Sequence, residues 1–156
     1  MPVEIERKYL VTSDAWREDM AGTPYRQGYM CVSELATVRV RQAGERAFLT
    51  IKGATAGLSR AEFEYEIPVP DAEIMLRDHC TKPLIEKTRY EVPFGGKIWT
   101  VDVFDAANAG LIVAEVELTH ADEQVQIPPW AGREVTDDPR YRNSSLISDP
   151  MNGSDQ

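Results

Sequence analysis

The chain is poor in the groups that most often announce a chemistry. Its 156 residues hold two cysteines and two histidines, too few for a zinc or redox cluster. Cys31 and Cys80 have no C-x-x-C spacing, and both read as buried thiols among core-like neighbours. His79 closes an expected helix and His120 follows an expected strand. Neither has a partner at ligand or triad spacing, so both read as surface or capping groups. No run approaches the roughly 18 apolar residues that a membrane-spanning helix needs. The opening MPVEIERKYL is charged where an export signal would be apolar, so the expected compartment is the cytoplasm. Positive charge is also scarce: 17 Lys and Arg against 26 Asp and Glu give a net charge of −9. That balance argues against a general nucleic-acid or membrane binder, which needs a basic surface to displace counterions. It leaves room for a basic pocket inside an acidic shell.

Short alternating segments dominate, with no long helical stripe. Strands are expected at 3–11, 25–32, 36–42, 46–52, 60–68, 85–92, 98–104 and 111–118. Eight strands are enough to close a barrel. Ala43-Gly44-Glu45 suits a tight hairpin, and Phe94-Gly95-Gly96-Lys97 supplies glycines for positive φ, so neighbouring strands should run antiparallel. Short helices are expected at Ser13–Trp16 and at Ala72–His79 after Pro70-Asp71, both packed outside the sheet. Trp16, Trp99 and Trp130 read as packing anchors. The stretch after Trp130 reads as a short capping turn. One domain over 1–148 and a disordered tail over 149–156 complete the organisation.

Function begins to show when each strand is split into its two faces. Glu4, Glu6 and Lys8 share one face, as do Arg39 and Arg41, with Val38 and Val40 opposite. Arg60, Glu62, Glu64 and Glu66 form another such row, backed by Ala61, Phe63, Tyr65 and Ile67. Lys52, the pair Lys87 and Arg89, Asp102, and the pair Glu115 and Glu117 complete the set. These rows could be the wet faces of an ordinary sandwich. Two features favour a charged interior instead. Acids cluster on some strands and bases on others, where a solvated face would intersperse signs. The arginines also offer guanidinium forks suited to phosphate oxygens. Paired carboxylates supply hard ligands for Mg²⁺ or Mn²⁺, and rings of Arg and Lys neutralise a polyanion, so together they suit a chain of phosphates carrying a divalent cation.

The ordered series Glu4-x-Glu6-x-Lys8, Arg39-x-Arg41, Thr50-Ile51-Lys52, Arg60-x-Glu62-x-Glu64-x-Glu66, Glu86-Lys87-Thr88-Arg89-Tyr90 and Glu115-x-Glu117 resembles the CYTH superfamily, the triphosphate tunnel metalloenzymes. The likeness continues to Tyr141-Arg142-Asn143-Ser144. It implies a mainly β fold, an eight-stranded antiparallel closed β-barrel with a few short helices outside. It also implies a hydrolase of triphosphate substrates that requires Mg²⁺ or Mn²⁺. Carried over by position, Glu4, Glu6, Glu115 and Glu117, joined by Glu62 and Glu64, would form the metal-binding set. Lys8, Arg39, Arg41, Lys52, Lys87 and Arg89 would bind the triphosphate; Arg60 would do so too or would pair with neighbouring acids. Tyr29, in Gly28-Tyr29-Met30, matches a tyrosine that similar bacterial sequences offer as proton acceptor. A phenol serves as a base near neutral pH only beside cations such as Lys8 or Arg39. In the competing mechanism the metal activates water and Lys8 stabilises the phosphoryl group.

Hydrolysis of inorganic tripolyphosphate to pyrophosphate and phosphate is the leading expectation. Thiamine triphosphate and nucleoside triphosphates are alternative substrates, and a class IV-type adenylyl cyclase shares the tunnel motifs. No base-reading constellation is visible, which favours hydrolysis. A non-catalytic polyphosphate- or nucleotide-binding module would not need paired acids. The expected partner is a small triphosphate, with no nucleic acid and no membrane. Apolar faces outside the barrel require cover from the helices or from a second copy in a homodimer.

Overall fold

A computed structural model describes residues 3–18, 20–56 and 59–151. Nine strands are formed: β1 (Val3–Val11), β2 (Thr23–Val32), β3 (Ala36–Ala43), β4 (Arg46–Gly53), β5 (Ser59–Ile67), β6 (Ile85–Phe94), β7 (Lys97–Phe104), β8 (Ile112–Glu117) and β9 (Ala131–Glu134). Two helices, α1 (Val69–Asp78) and α2 (Asn143–Ser148), accompany them. The hydrogen-bonded order is β5-β4-β3-β2-β6-β7-β8-β1, and β1 pairs back onto β5, so eight antiparallel strands close into a barrel. Closure abolishes the sheet edges that would otherwise invite pairing with other chains.

β1 closes the ring with its first residues only, Val3 to Ile5 lying opposite Ala61 to Ser59. Farther along, the same strand takes β9 as its neighbour, with Tyr9 opposite Glu134 and Val11 opposite Ala131. The tight turns form where the glycines allow them: Gly44 has φ 60°, and Gly95 and Gly96 have φ 61° and 79°.

Alternation divides the apolar residues into three groups. Val40 and Ala47, on the outer face of β3 and β4, are covered by Ala72 and Leu76 of α1. Pro in its first turn favours the start of α1, and the helix begins earlier than the spacing predicts, at Val69. A second outer cluster joins Tyr9, Trp99, Val101 and Val116 to Trp16 and Trp130. The three tryptophans are buried packing anchors, as expected, and Trp99 and Trp130 meet edge to face at 5.8 Å. A third cluster seals one end of the barrel. Leu10 continues the row of Glu4, Glu6 and Lys8, and it packs with Ile85, Phe104 and Val113 against Tyr141, Leu146 and Ile147 of the C-terminal segment.

Several expectations are corrected. Ser13–Trp16 forms a bend and turn, not a helix: Trp16 is held by the barrel wall and Arg17 by the Tyr90 hydroxyl, to which it donates at 2.8 Å. Tertiary contacts thus replace the helical bonds that so short a segment would form weakly. Cys31 is exposed, and only Cys80 is buried. β9 and α2 lie in the stretch read as a capping turn. Met151, assigned to the tail, is buried and donates its N–H to Asn108 Oδ1 at 2.7 Å. Residues 152–156 of that tail lie outside the described residues. Among the described residues no helix is long and apolar enough to cross a membrane.

Candidate functional site

The charged faces point inward. They line one cavity of about 390 Å³ that runs inside the barrel. Strand register explains which groups meet, because directly opposed residues on one face approach most closely. Glu4 faces Arg60, Lys52 faces Glu62, Arg39 faces Thr50, Arg89 faces Asp102, Lys8 faces Glu115, and Glu6 faces Glu117.

Acid and base are unevenly shared around the wall. On β1, Glu4 accepts from Lys52 Nζ at 2.8 and 3.1 Å, and Lys8 Nζ stands 3.5 Å from Glu115. Burial works to raise the Glu4 and Glu115 pKa values, but the neighbouring lysines prevail. Glu4 is lowered, and Glu115 is held at about 2 by Lys8 and then Arg89. Burial likewise opposes the charge of Lys8, yet Glu115, Glu6 and Tyr29 hold its pKa above the usual lysine value. Lys8 also donates to the Tyr141 carbonyl at 3.2 Å, tying β1 to the C-terminal segment. Glu6 has no comparable relief: burial, then the charges of Glu115 and Glu4, push it up to about 9. Glu62 is pushed up to about 7 by burial and by Glu4.

The opposite wall is basic. Arg39 lies 3.5 Å from Glu64, which also accepts from Thr50 Oγ1 at 2.8 Å. Its Nε is buried with no protein partner among the described residues, a donor suited to an incoming anion. Arg41 donates through Nε to Gln27 Oε1 at 3.2 Å, and burial together with Arg39 and Arg89 lowers it to about 10. Arg89 makes a two-pronged pair with Asp102 at 2.7 and 2.8 Å, the fork geometry that fixes a guanidinium plane. Asp102 itself lies well below the usual carboxylate range, because Lys87 and Arg89 outweigh its burial.

Of the residues expected to hold metal, bind phosphate or take the proton, all but one line this cavity: Glu4, Glu6, Lys8, Tyr29, Arg39, Arg41, Lys52, Arg60, Glu62, Glu64, Arg89, Glu115 and Glu117. Tyr29 faces Arg39 across β2 and β3. Arg60 is partly committed, donating to the Gly53 carbonyl at 3.1 Å. Lys87 is the exception. It is wholly buried behind the cavity wall, 2.8 Å from Asp102, and burial lowers its pKa to about 7. It neutralises Asp102 from behind, while Arg89 turns to the cavity. Glu66, in line with Glu62 and Glu64, pairs outside with Arg46 at 2.7 Å. The cavity also uses Thr37, Thr100 and Thr136, and it uses Arg142, Asn143 and Ser144 from the C-terminal segment. Threonines carry no charge signal. The C-terminal trio belongs to the matching series, but no periodicity marks it as a wall.

Could these residues hold a divalent cation? Among the described residues no three acidic, histidine or cysteine groups stand together as a ready-made cage. Mg²⁺ does not need one, since it keeps several waters and binds through one or two carboxylates plus substrate phosphates. The donor set fits that habit. Glu6 is crowded by Glu4 and Glu115, which with burial outweigh Lys8 and Lys52, and a bound metal would offset that repulsion.

Comparison with known proteins agrees with this geometry. The CYTH domain family matches residues 2–147. An inorganic triphosphatase of Acetivibrio thermocellus is 47% identical over 150 residues, covering 96% of this chain and 96% of that protein. An inorganic triphosphatase of Nitrosomonas europaea is 39% identical over 148 residues, covering 92% and 95%. The crystal structure of an inorganic triphosphatase superposes with a TM-score of 0.67 at 33% identity, covering 94% of this chain and 95% of the other.

Proposed function

The chain belongs to the CYTH domain family, and from that premise we propose that it hydrolyses inorganic tripolyphosphate to pyrophosphate and phosphate, using Mg²⁺ or Mn²⁺. One observation carries the reading: a single cavity is divided into a carboxylate-rich wall on β1 and β8 and a guanidinium-rich wall on β3 and β6. The names of the two relatives support the choice of substrate.

The ion pairs of the cavity suggest how it accepts its ligands. Lys52 with Glu4, and Lys8 with Glu115, hold opposite charges together inside the barrel. Desolvated pairs of this kind gain little net stability, so exchanging them for a polyanion and a cation costs little. Arg39, Arg41, Lys52 and Arg89, joined by Arg60, bind the non-bridging oxygens. Glu4, Glu6 and Glu115, assisted by Glu117, Glu62 and Glu64, are the residues that would hold the metal. When bound, a divalent cation neutralises phosphate charge and lowers the pKa of water. Asp102 fixes the plane of Arg89 and so the direction of its free donors. Lys8, kept as an ammonium ion by Glu115, stabilises the oxygens of the terminal phosphoryl group as water attacks it. The bond between that phosphorus and the bridging oxygen breaks, and pyrophosphate leaves. Tyr29, near Lys8, would accept the water's proton in its phenolate form. In such transfers positioning and charge neutralisation account for most of the rate.

The test is release of phosphate and pyrophosphate from tripolyphosphate, ATP and thiamine triphosphate with Mg²⁺ or Mn²⁺. Tripolyphosphate should be cleaved fastest, and a chelator should stop the reaction. Cyclic AMP formed from ATP would replace the hydrolase reading with a cyclase, and no turnover of any substrate would leave a binding module.

A further inference from the structure

Three cations meet over one aromatic ring. Tyr25 on β2 has the Arg89 guanidinium carbon 4.9 Å from its ring centre, that of Arg41 at 5.0 Å and Lys87 Nζ at 6.0 Å. All lie within the distance at which a cation is attracted to the electron-rich face of a ring. Register produces the meeting. Tyr25 is directly opposite Lys87, while Gln27, two residues on, is opposite Arg41, and Thr23, two residues back, is opposite Arg89. The inward row of β2 therefore places its tyrosine in the middle of the basic cluster. Tyr25 is not among the residues lining the cavity; Arg41 and Arg89 are.

The cluster has a problem that the ring addresses. The carboxylate in contact with Lys87 and Arg89 is Asp102, engaged by Lys87 and by both prongs of Arg89, while Glu115 acts on the two cations from farther off. Among the described residues Arg41 has only the neutral Gln27 amide as hydrogen-bond partner. A second carboxylate would quiet the repulsion, but it would also compete with a phosphate chain for the same donors. An aromatic face attracts cations without accepting their N–H bonds in the plane of the guanidinium, so the donors stay free for substrate oxygens.

We propose that Tyr25 is a positioning residue whose ring gathers Arg41 and Arg89 and presents to the phosphate chain of the substrate the guanidinium donors that Gln27 and Asp102 leave free. The substrate class rests on the triphosphatase reading above; the role of the ring is tested apart from turnover. Its electron density matters, and its hydroxyl does not.

The measurement is calorimetric binding of tripolyphosphate, pyrophosphate and phosphate to the full chain, alongside KM and kcat for tripolyphosphate. Tyr25→Phe should keep affinity within about twofold. Phenylalanine with successively fluorinated rings at the same position keeps the shape and drains the ring face. Affinity should then fall stepwise to roughly tenfold weaker, as expected from losing contacts of this kind. KM should rise in parallel while kcat changes little, with the melting temperature following the Phe variant. Equal affinity across the fluorinated series would overturn the proposal, as would a loss already complete in Tyr25→Phe. Tripolyphosphate binding without turnover would sink the hydrolase reading and leave the ring's role to be read from affinity. Failure of the unaltered chain to bind any of the three anions would overturn both.

Discussion

Glu6 and Asp102 are both carboxylates inside the barrel, and their surroundings push them in opposite directions. Burial raises both. Glu6 sits opposite Glu117 and near Glu115 and Glu4, so its charge is opposed further and its pKa reaches about 9. Asp102 sits opposite Arg89 and beside Lys87, so two cations overcome the same burial and hold it well below the usual carboxylate range. The lesson is that the sign of the neighbours, set by strand register, decides what a buried acid does. An excess of acid on one wall awaits a cation, and an excess of base on the other awaits an anion. Each wall carries unbalanced charge, as expected where binding is built at some cost in stability.

The strongest way to break this comparison is Glu6→Gln. The amide keeps the shape and removes a carboxyl whose ionisation burial, Glu115 and Glu4 all oppose. Metal-dependent cleavage of tripolyphosphate should fall roughly 1,000-fold, beyond the roughly 10- to 100-fold typical of an outer-shell change. The metal-free protein should melt on the order of 3 °C higher, corresponding to about 1 kcal/mol for a chain of this size. Lower activity accompanied by a lower melting temperature would mean that Glu6 is not strained as described.

Asp102→Asn tests the other side. Removing one partner of a buried pair leaves two cations uncompensated, at about 3 kcal/mol. Because the folded pKa of Asp102 is depressed, its contribution is fully present above the unfolded carboxylate value of about 3.9 and is lost as pH falls through the folded value. The variant should therefore differ most from the parent near neutral pH and converge with it in strong acid, measured by urea unfolding across that range. A constant difference down to low pH would show that the loss is one of packing.

Asn108 offers a smaller effect at a different place. It is buried, donates to the Leu146 carbonyl at 3.2 Å and accepts from the Met151 N–H. These bonds hold the C-terminal segment whose Tyr141 carbonyl receives Lys8. Asn108→Ala should cost about 2 kcal/mol, since it orphans two buried backbone groups. It should weaken kcat through Lys8 more than it alters binding of the substrate to Arg41 and Arg89. A rise in KM alone would detach Lys8 from this anchor.

The barrel and most of its lining were legible because alternation is a local property: Glu4, Glu6 and Lys8 declare a charged face whatever the partner strand. Which charges meet is set by register, and register is not local. Lys87 and Arg89 look equivalent in sequence, yet one is sealed behind the wall with Asp102 and the other opens to the cavity. β9 escaped notice because four residues, Ala131 to Glu134, carry too short a pattern. α2 is likewise brief, and its burial against Leu10 and Phe104 supplies what its own propensity does not. Cys31 reads as buried yet is exposed, because an apolar neighbourhood in sequence says nothing about which way a strand turns.

Glu66 marks where alternation stops being informative. It shares its face with Glu62 and Glu64 and completes the same charged row, but its carboxylate pairs with Arg46 at the exposed end of β4, and Arg46 lowers its pKa. An exposed pair of this kind gives up in hydration and side-chain freedom nearly what it gains in attraction. Glu66→Gln should therefore leave tripolyphosphate cleavage, metal affinity and melting temperature unchanged, while Glu64→Gln, which removes the acid facing Arg39, alters KM. Loss of activity in Glu66→Gln would extend the functional wall past the end of the cavity and undo the contrast between the buried acids and the solvated ones.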